Sequence, residues 1–172
     1  MSITPEMEEI LQYLHTKDNY ALFAGFAAYL HTGVEPSPDI DVFVSSHTDV
    51  KKITEDFIKK GWNQFDFKTN DFFMSTVKKN ETTFDIIFSE PAQRVLLPCR
   101  IVVSFQDNPL YTISAEALLL TKMNQLTSLK RSDEKTKRDR EVIHVLREKI
   151  DVQKLRKLLQ TLEDSFWTKG HF

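Results

Sequence analysis

Acidic residues stand inside two of the most apolar runs of this chain, and few folds accommodate them there. Asp39-Ile40-Asp41 opens the run Ile40 to Val44, and Asp85 sits between Phe84 and Ile86 within Thr82 to Phe88. Side chains alternate across a strand, so two acids two residues apart point to one side. Close like charges repel unless a cation or solvent compensates, and an unpaired buried carboxylate is costly. If the two runs are neighbouring strands, the three carboxylates converge, and a divalent ion bound by oxygen ligands is the economical explanation. The structural alternative is that Pro38-Asp39 only caps a turn.

The rest of the chain supplies strands and helices in alternation. Thr4-Pro5 followed by Glu6, Glu8 and Glu9 reads as a helix start, with Met7, Ile10, Leu11 and Leu14 at helical spacing. Tyr20 to Ala24 reads as a buried strand, Phe26 to His31 as a short helix, and Gly33 to Pro38 as loop. Val50 to Lys60 is amphipathic and stopped by Gly61. Trp62 to Phe67, Phe72 to Val77, Thr82 to Phe88 and Arg100 to Phe105 read as strands, with turns at Asn70-Asp71 and Lys79-Asn80. After Pro109 the pattern is helical: Ser114 to Lys130, Asp133 to Lys149, and Val152 to about Phe166. The expected architecture is α/β (α+β), a mixed β-sheet core with helices over residues 1–113 and a C-terminal helical segment, 114–172, packed on it.

Composition excludes several classes. The 172 residues fit one domain or one with a helical appendage. A single cysteine, Cys99, excludes an internal disulfide framework and fits a reducing cytosol. No run approaches the roughly 20 apolar residues of a membrane span, and the acidic start MSITPEMEEI lacks the apolar stretch of a secretory signal. A cytoplasmic protein is expected. The net charge of -2 excludes a uniformly basic nucleic-acid binder. It hides an asymmetry, because residues 1–113 carry 10 Lys/Arg against 16 Asp/Glu, and residues 114–157 carry 12 against 7. The five histidines show no zinc-ligand spacing, and there is no G-x-S-x-G, G-x-x-x-x-G-K-[ST] or G-x-G-x-x-G motif. His31 lies near the acids in sequence, where it either contacts substrate or caps its helix.

Two charges interrupt the apolar stripes of the later helices. At about 100° per residue, Ala115, Leu118, Leu119, Leu126 and Leu129 share a stripe with Lys122 in its middle. Asp139 falls within the stripe of Val142, Ile143, Leu146 and Ile150. Such charges need a reason: a buried Lys122–Asp139 pair that docks the helices, or a functional role for the lysine. The basic cluster Lys130, Arg131, Lys135, Lys137, Arg138 and Arg140 could contact a triphosphate or an acceptor RNA, but is read mainly as a solvated face, with Lys137 and Arg138 as the exceptions.

Together these residues resemble the nucleotidyltransferase superfamily, the group containing DNA polymerase β. Its pattern is an apolar residue, Gly, then Gly or Ser, a spacer of about ten residues, Asp-apolar-Asp, and a third acid on a later strand. The counterparts here are Phe23-Ala24-Gly25-Phe26, a spacer of residues 27–38, Asp39-Ile40-Asp41 and Asp85. The AbiEii-like branch is closest, through Ser37 two residues before the first Asp, Leu118-Leu-Leu-Thr-Lys122, and Lys137-Arg138-Asp139. The resemblance implies a Mg²⁺- or Mn²⁺-dependent enzyme that moves a nucleoside monophosphate from an NTP to a hydroxyl. It implies that Asp39, Asp41 and Asp85 are catalytic and hold the metal, Asp85 also helping the acceptor hydroxyl lose its proton. Gly25 would allow a tight turn, and Gly25, Phe26, Ser37, Lys122, Lys137 and Arg138 would face the nucleotide. The acceptor class stays open among RNA, protein and small molecule. The AbiEii-like branch further implies a toxin with an antitoxin partner. Phe26 stands where the pattern has Gly or Ser, and Glu35 where it often has a basic residue. Both motivate an alternative, a catalytically degenerate nucleotidyltransferase fold that serves as a nucleotide- or protein-binding module. Three acids also suit a metal-dependent nuclease, but the helix order and the Gly25 spacing favour transfer.

Overall fold

The computed structural model describes residues 3–68, 73–90, 92–127 and 132–162. The expected turn at Asn70-Asp71, the basic residues Lys130 and Arg131, and the end of the last helix near Phe166 lie outside these. In chain order the elements are α1 (Pro5–His15), β1 (Tyr20–Phe23), α2 (Ala24–Thr32), β2 (Ile40–Val44), α3 (His47–Lys59), β3 (Asn63–Lys68), β4 (Phe73–Lys79) and β5 (Thr82–Phe88). A π turn and a 3₁₀ turn over residues 92–99 lead to β6 (Arg100–Phe105), β7 (Asn108–Ile113), α4 (Ala115–Gln125), α5 (Asp133–Arg147) and α6 (Val152–Leu162).

The helix ends follow their capping residues. Thr4 Oγ1 accepts from Met7 N at 3.1 Å with Pro5 opening α1, and Ser46, Ser114 and Ser132 each cap the helix that follows. Seven strands form one mixed sheet in the order β3-β4-β5-β2-β1-β7-β6. β2 is central, parallel to β5 and antiparallel to β1, while β1 runs parallel to β7. One face presents Ile40, Val42, Phe84 and Ile86, all fully buried. The Phe57 ring of α3 meets Phe84 at 5.0 Å and the Tyr13 ring of α1 at 5.1 Å, which places α1 and α3 on this face. Asp41 and Asp85 lie on the other. One continuous hydrophobic cluster includes both sheet residues and Ala117, Leu118, Val142, Leu146 and Leu158 of the later helices. No helix among the described residues is long and apolar enough to cross a membrane.

One element departs from expectation. Asn108–Ile113 is a strand, hairpin-paired to β6 with Phe105 opposite Asn108, where the sequence pattern reads as the approach to a helix. Gln106 and Asp107 form the two-residue loop, both left-handed at φ 50° and 62°, as a hairpin of this length requires. The loop lacks the Gly or Asn that usually marks such a turn, and Pro109 argues against a central strand. The recorded β1–β7 pairing is Leu22 with Thr112, so Pro109 sits toward the far end of β7, where a missing N–H costs least.

Candidate active site

The β2–β5 pairing is parallel and in register, with Asp41 directly beside Asp85. The same row continues through Thr76 on β4. Neighbouring strands are about 4.8 Å apart, so the row brings the two carboxylates side by side on one face. Asp39, two residues before Asp41, joins them from the entry to β2. Two hydroxyls hold this arrangement: Thr83 Oγ1 donates to Asp39 Oδ1 at 2.9 Å, and Thr76 Oγ1 donates to Asp85 Oδ1. Thr83 and Asp85 alternate on the same face of β5, a spacing visible in sequence. The role of Thr76 depends on strand pairing and was not.

Asp39, Asp41 and Asp85 line one cleft of about 200 Å³, together with Ala24, Gly25, Ser37, Lys122 and Arg138. Asp139, Gln125 and Lys135 complete its wall. Among the described residues the Asp41 carboxylate accepts no hydrogen bond. Burial, then the charges of Asp85 and Asp39, push its carboxyl up to about 8, against the opposing pull of Lys122 and Lys135. The linkage follows from the sign. The folded state holds the Asp41 proton more tightly than the unfolded chain, so the stability it contributes is full below about pH 4 and lost as pH rises through about 8. In EDTA, the melting temperature is expected to fall across this interval, and Asp41→Asn is expected to flatten the profile. A flat profile for the unmutated chain would contradict the assigned crowding.

The donor set fits a hard divalent cation, because all three acids offer oxygen and two stand adjacent. As they stand, no three acid, histidine or cysteine side chains among the described residues are arranged to hold one metal ion. Mg²⁺ does not need such a cage, since it is commonly held by one or two carboxylates, waters and substrate phosphates. Asp41 and Asp85 meet that requirement.

The turn into α2 differs from the sequence-based expectation by one residue. The left-handed position is Ala24, at φ 57°, not Gly25. Gly25 is already helical, and a Cβ there would meet Pro36 and Ser37 at an ordinary 3.7 Å. The small pair of the motif is therefore Ala24-Gly25, both on the cleft. Phe26 points the other way: it is fully buried against Phe105 and Tyr29 and does not line the cleft. Its bulk thus does not obstruct it. Glu35 is exposed and also outside the lining. A non-glycine residue in the left-handed region costs roughly 1–2 kcal/mol, and the expected result is that Ala24→Gly recovers about 0.5–1 kcal/mol of this in urea unfolding.

The two interrupted stripes meet. Lys122 Nζ lies 2.8 Å from Asp139 Oδ1, with side chains 5% and 1% exposed, and both residues border the cleft. One pair thus joins α4 to α5 and fixes a lysine at the cleft wall. On α5, Lys135, Arg138 and Asp139 share the cleft-facing side, being three and four residues apart. Lys137 is two residues from Lys135, about 200° around the helix. It is exposed and outside the lining. Lys135, read as solvated surface from sequence, therefore takes the place expected of Lys137. His31 also lies elsewhere: its Nε2 donates to Ile113 O at 2.9 Å, and burial lowers its pKa.

No protein-family model matches the chain, and no curated protein matches it. Solved structures do. ANT(2")-Ia, solved in complex with adenylyl-2"-tobramycin, aligns at TM-score 0.64 with 11% identity over 92% of this chain and 95% of its own. A candidate nucleotidyltransferase of Thermotoga maritima aligns at TM-score 0.56 with 12% identity, covering 72% of this chain and 87% of that one. An antigenic nucleotidyltransferase-like protein of Paracoccidioides brasiliensis gives TM-score 0.51 and 14% identity over 90% and 84%. At such low identity the likeness speaks for architecture alone: this chain has a nucleotidyltransferase-like mixed α/β fold.

Proposed function

We propose that the chain is a divalent-metal-dependent nucleotidyltransferase that moves a nucleoside monophosphate from an NTP to an acceptor hydroxyl. The observation that carries this reading is the in-register Asp41–Asp85 pair, with Asp39 beside it, facing Lys122, Lys135 and Arg138 across one cleft. A cleft with acids on one wall and cations on the other suits a metal-bound triphosphate better than either charge alone. The adenylylated ligand of ANT(2")-Ia adds support for a nucleotide donor. The Lys122–Asp139 pair favours a relationship to the AbiEii-like branch, whose pattern contains both residues.

Mg²⁺ or Mn²⁺ held by Asp41 and Asp85, with Asp39, would neutralise the triphosphate and activate the acceptor oxygen. In the chain's own chemistry, Asp85 accepts the proton of the acceptor hydroxyl. The acceptor oxygen forms a bond to the α-phosphorus, the bond from that phosphorus to the bridging oxygen breaks, and pyrophosphate leaves. Lys122, fixed by Asp139, with Lys135 and Arg138, balances the charge on the leaving pyrophosphate. The turn at Ala24-Gly25 and the Ser37 hydroxyl border the space for the phosphates, where a side chain at 25 would take room from the ligand. Phe26 and Glu35, which motivate the degenerate-module reading, both stand off the cleft.

The test is incubation with each α-³²P-labelled NTP, Mg²⁺ or Mn²⁺, and total RNA plus protein extract, with Asp41→Asn as control. Label transferred by the unmutated chain and not by the control supports the reading. Transfer by both, or transfer that persists in EDTA, defeats it. Lys135→Ala is expected to raise KM for the NTP roughly tenfold, as loss of one charge-assisted phosphate contact does. Lys137→Ala is expected to leave it unchanged, and equal effects would show that α5 faces the nucleotide differently.

A further inference from the structure

A second cleft, of about 690 Å³, lies at the opposite ends of α2 and α4. Gly25 and Lys122 border the first cleft, while His31 and Glu116, six residues along each helix, border the second. Six residues of helix span about 9 Å, so the two sites are separate.

The rim of the second cleft carries Arg94, Arg100, Lys149, Lys154 and Lys157 against a single acid, Glu116. Glu116 is buried and already accepts from Asp151 N at 2.9 Å. Lys149 Nζ donates to His31 O, and Arg100 lies over the Tyr111 ring. Among the described residues, the side chains of Arg94, Lys154 and Lys157 have no hydrogen bond or ion pair. A concave cluster of like charges raises the local concentration of anions. The floor is aliphatic, formed by Val95, Pro98, Ile101 and Leu158, and Ile101 remains 42% exposed. Among the described residues no Phe, Tyr or Trp lines it, and its one aromatic ring, His31, is held by the Ile113 carbonyl, so it offers no broad stacking platform for a base. The volume lies within the usual range of small-molecule sites, roughly 300–1,000 Å³.

We propose that this cleft binds an amphipathic anion, with a phosphate head between Arg94, Lys154 and Lys157 and an aliphatic body on Val95, Ile101 and Leu158. The assignment stands on the second cleft alone and holds whatever reaction the first one performs. A phosphate head on an aliphatic body can arrive as a dissolved monomer or within a lipid surface, and the two are separable by experiment.

The full chain is titrated calorimetrically with octyl phosphate as monomer, with inorganic phosphate, and with phosphatidylcholine vesicles containing phosphatidylglycerol. Octyl phosphate is expected to bind one to one, at least tenfold tighter than inorganic phosphate. Lys157→Glu and Arg94→Glu, both at exposed positions, are expected to weaken it tenfold or more, with thermal melts confirming that each variant folds. Ile101→Ser is expected to weaken octyl phosphate and leave inorganic phosphate unaffected. Asp41→Asn is expected to leave octyl phosphate binding unchanged, which distinguishes this site from the acid cleft. Vesicle binding in addition to monomer binding identifies a lipid source, and monomer binding alone a soluble one. Octyl phosphate no tighter than inorganic phosphate, unchanged binding in the charge-reversed variants, or binding to vesicles without monomer would each overturn the assignment.

Discussion

Asp41→Asn is expected to abolish nucleotidyl transfer while raising the melting temperature of the metal-free protein. Asn keeps the shape of the side chain and removes one of three crowded negative charges. The transfer rate should fall by roughly 10³-fold or more, the scale at which loss of a central electrostatic group acts. Stability should move the other way, because Asp41 is half-buried beside Asp85 and Asp39 and its ionised form is disfavoured. For a domain of this size each kcal/mol of relieved repulsion raises the melting temperature by roughly 2–4 °C. The comparison is made in EDTA at a pH above about 8, where the unmutated carboxylate carries its charge. A variant that transfers nucleotide normally, or that melts lower than the unmutated chain, would remove Asp41 from the centre of the site. The opposed signs matter, since a substitution that merely damages the fold lowers both quantities.

Lys122→Met is expected to destabilise the protein by about 3–5 kcal/mol, the cost of leaving a buried charge without its partner. The pair is 5% and 1% exposed at 2.8 Å, so solvent cannot compensate Asp139 once Lys122 is gone. Asp139→Leu should cost a similar amount for the same reason. The double variant Lys122→Met/Asp139→Leu should recover most of the loss, because an apolar pair of similar volume suits the α4–α5 contact. It should still fail to transfer nucleotide, having lost the lysine at the cleft wall. Urea unfolding of all four proteins, with transfer measured on the folded double variant, separates docking from chemistry. Additive losses in the double variant would mean that the two side chains are not coupled. Full activity in it would confine Lys122 to a structural role.

Much of the candidate site is readable before folding because charge in an apolar context is conspicuous. Asp85 inside Thr82–Phe88 and Lys122 inside an apolar stripe each stand against the local pattern, and each borders the cleft. Other positions carried no such contrast. Lys135 looks like any solvated lysine at the start of a helix, and only the rotation of α5 about its docked Asp139 turns it, rather than Lys137, toward the acids. Counting the motif's spacing from Gly25 puts Phe26 where the pattern has a small residue. The dihedral at Ala24 sets the frame one residue earlier. No local signal marks β7, because its hairpin loop, Gln106-Asp107, adopts left-handed conformations without glycine or asparagine.

Periodicity and side-chain chemistry, which are local, determined which segments became helix or strand and which charges had to be accounted for. Strand order was decided only in three dimensions. β2 and β5 are separated by more than 30 residues and by three other elements, and no local rule makes them neighbours. Their parallel, in-register pairing sets Asp41 beside Asp85 and draws Thr76 and Thr83 in to support the acids. The physical reason is that the register of a pair of strands is selected by burial of the whole opposite face, here Ile40, Val42, Phe84 and Ile86. The apolar side of the sheet chose the alignment, and the acids on its other side were brought together as a consequence.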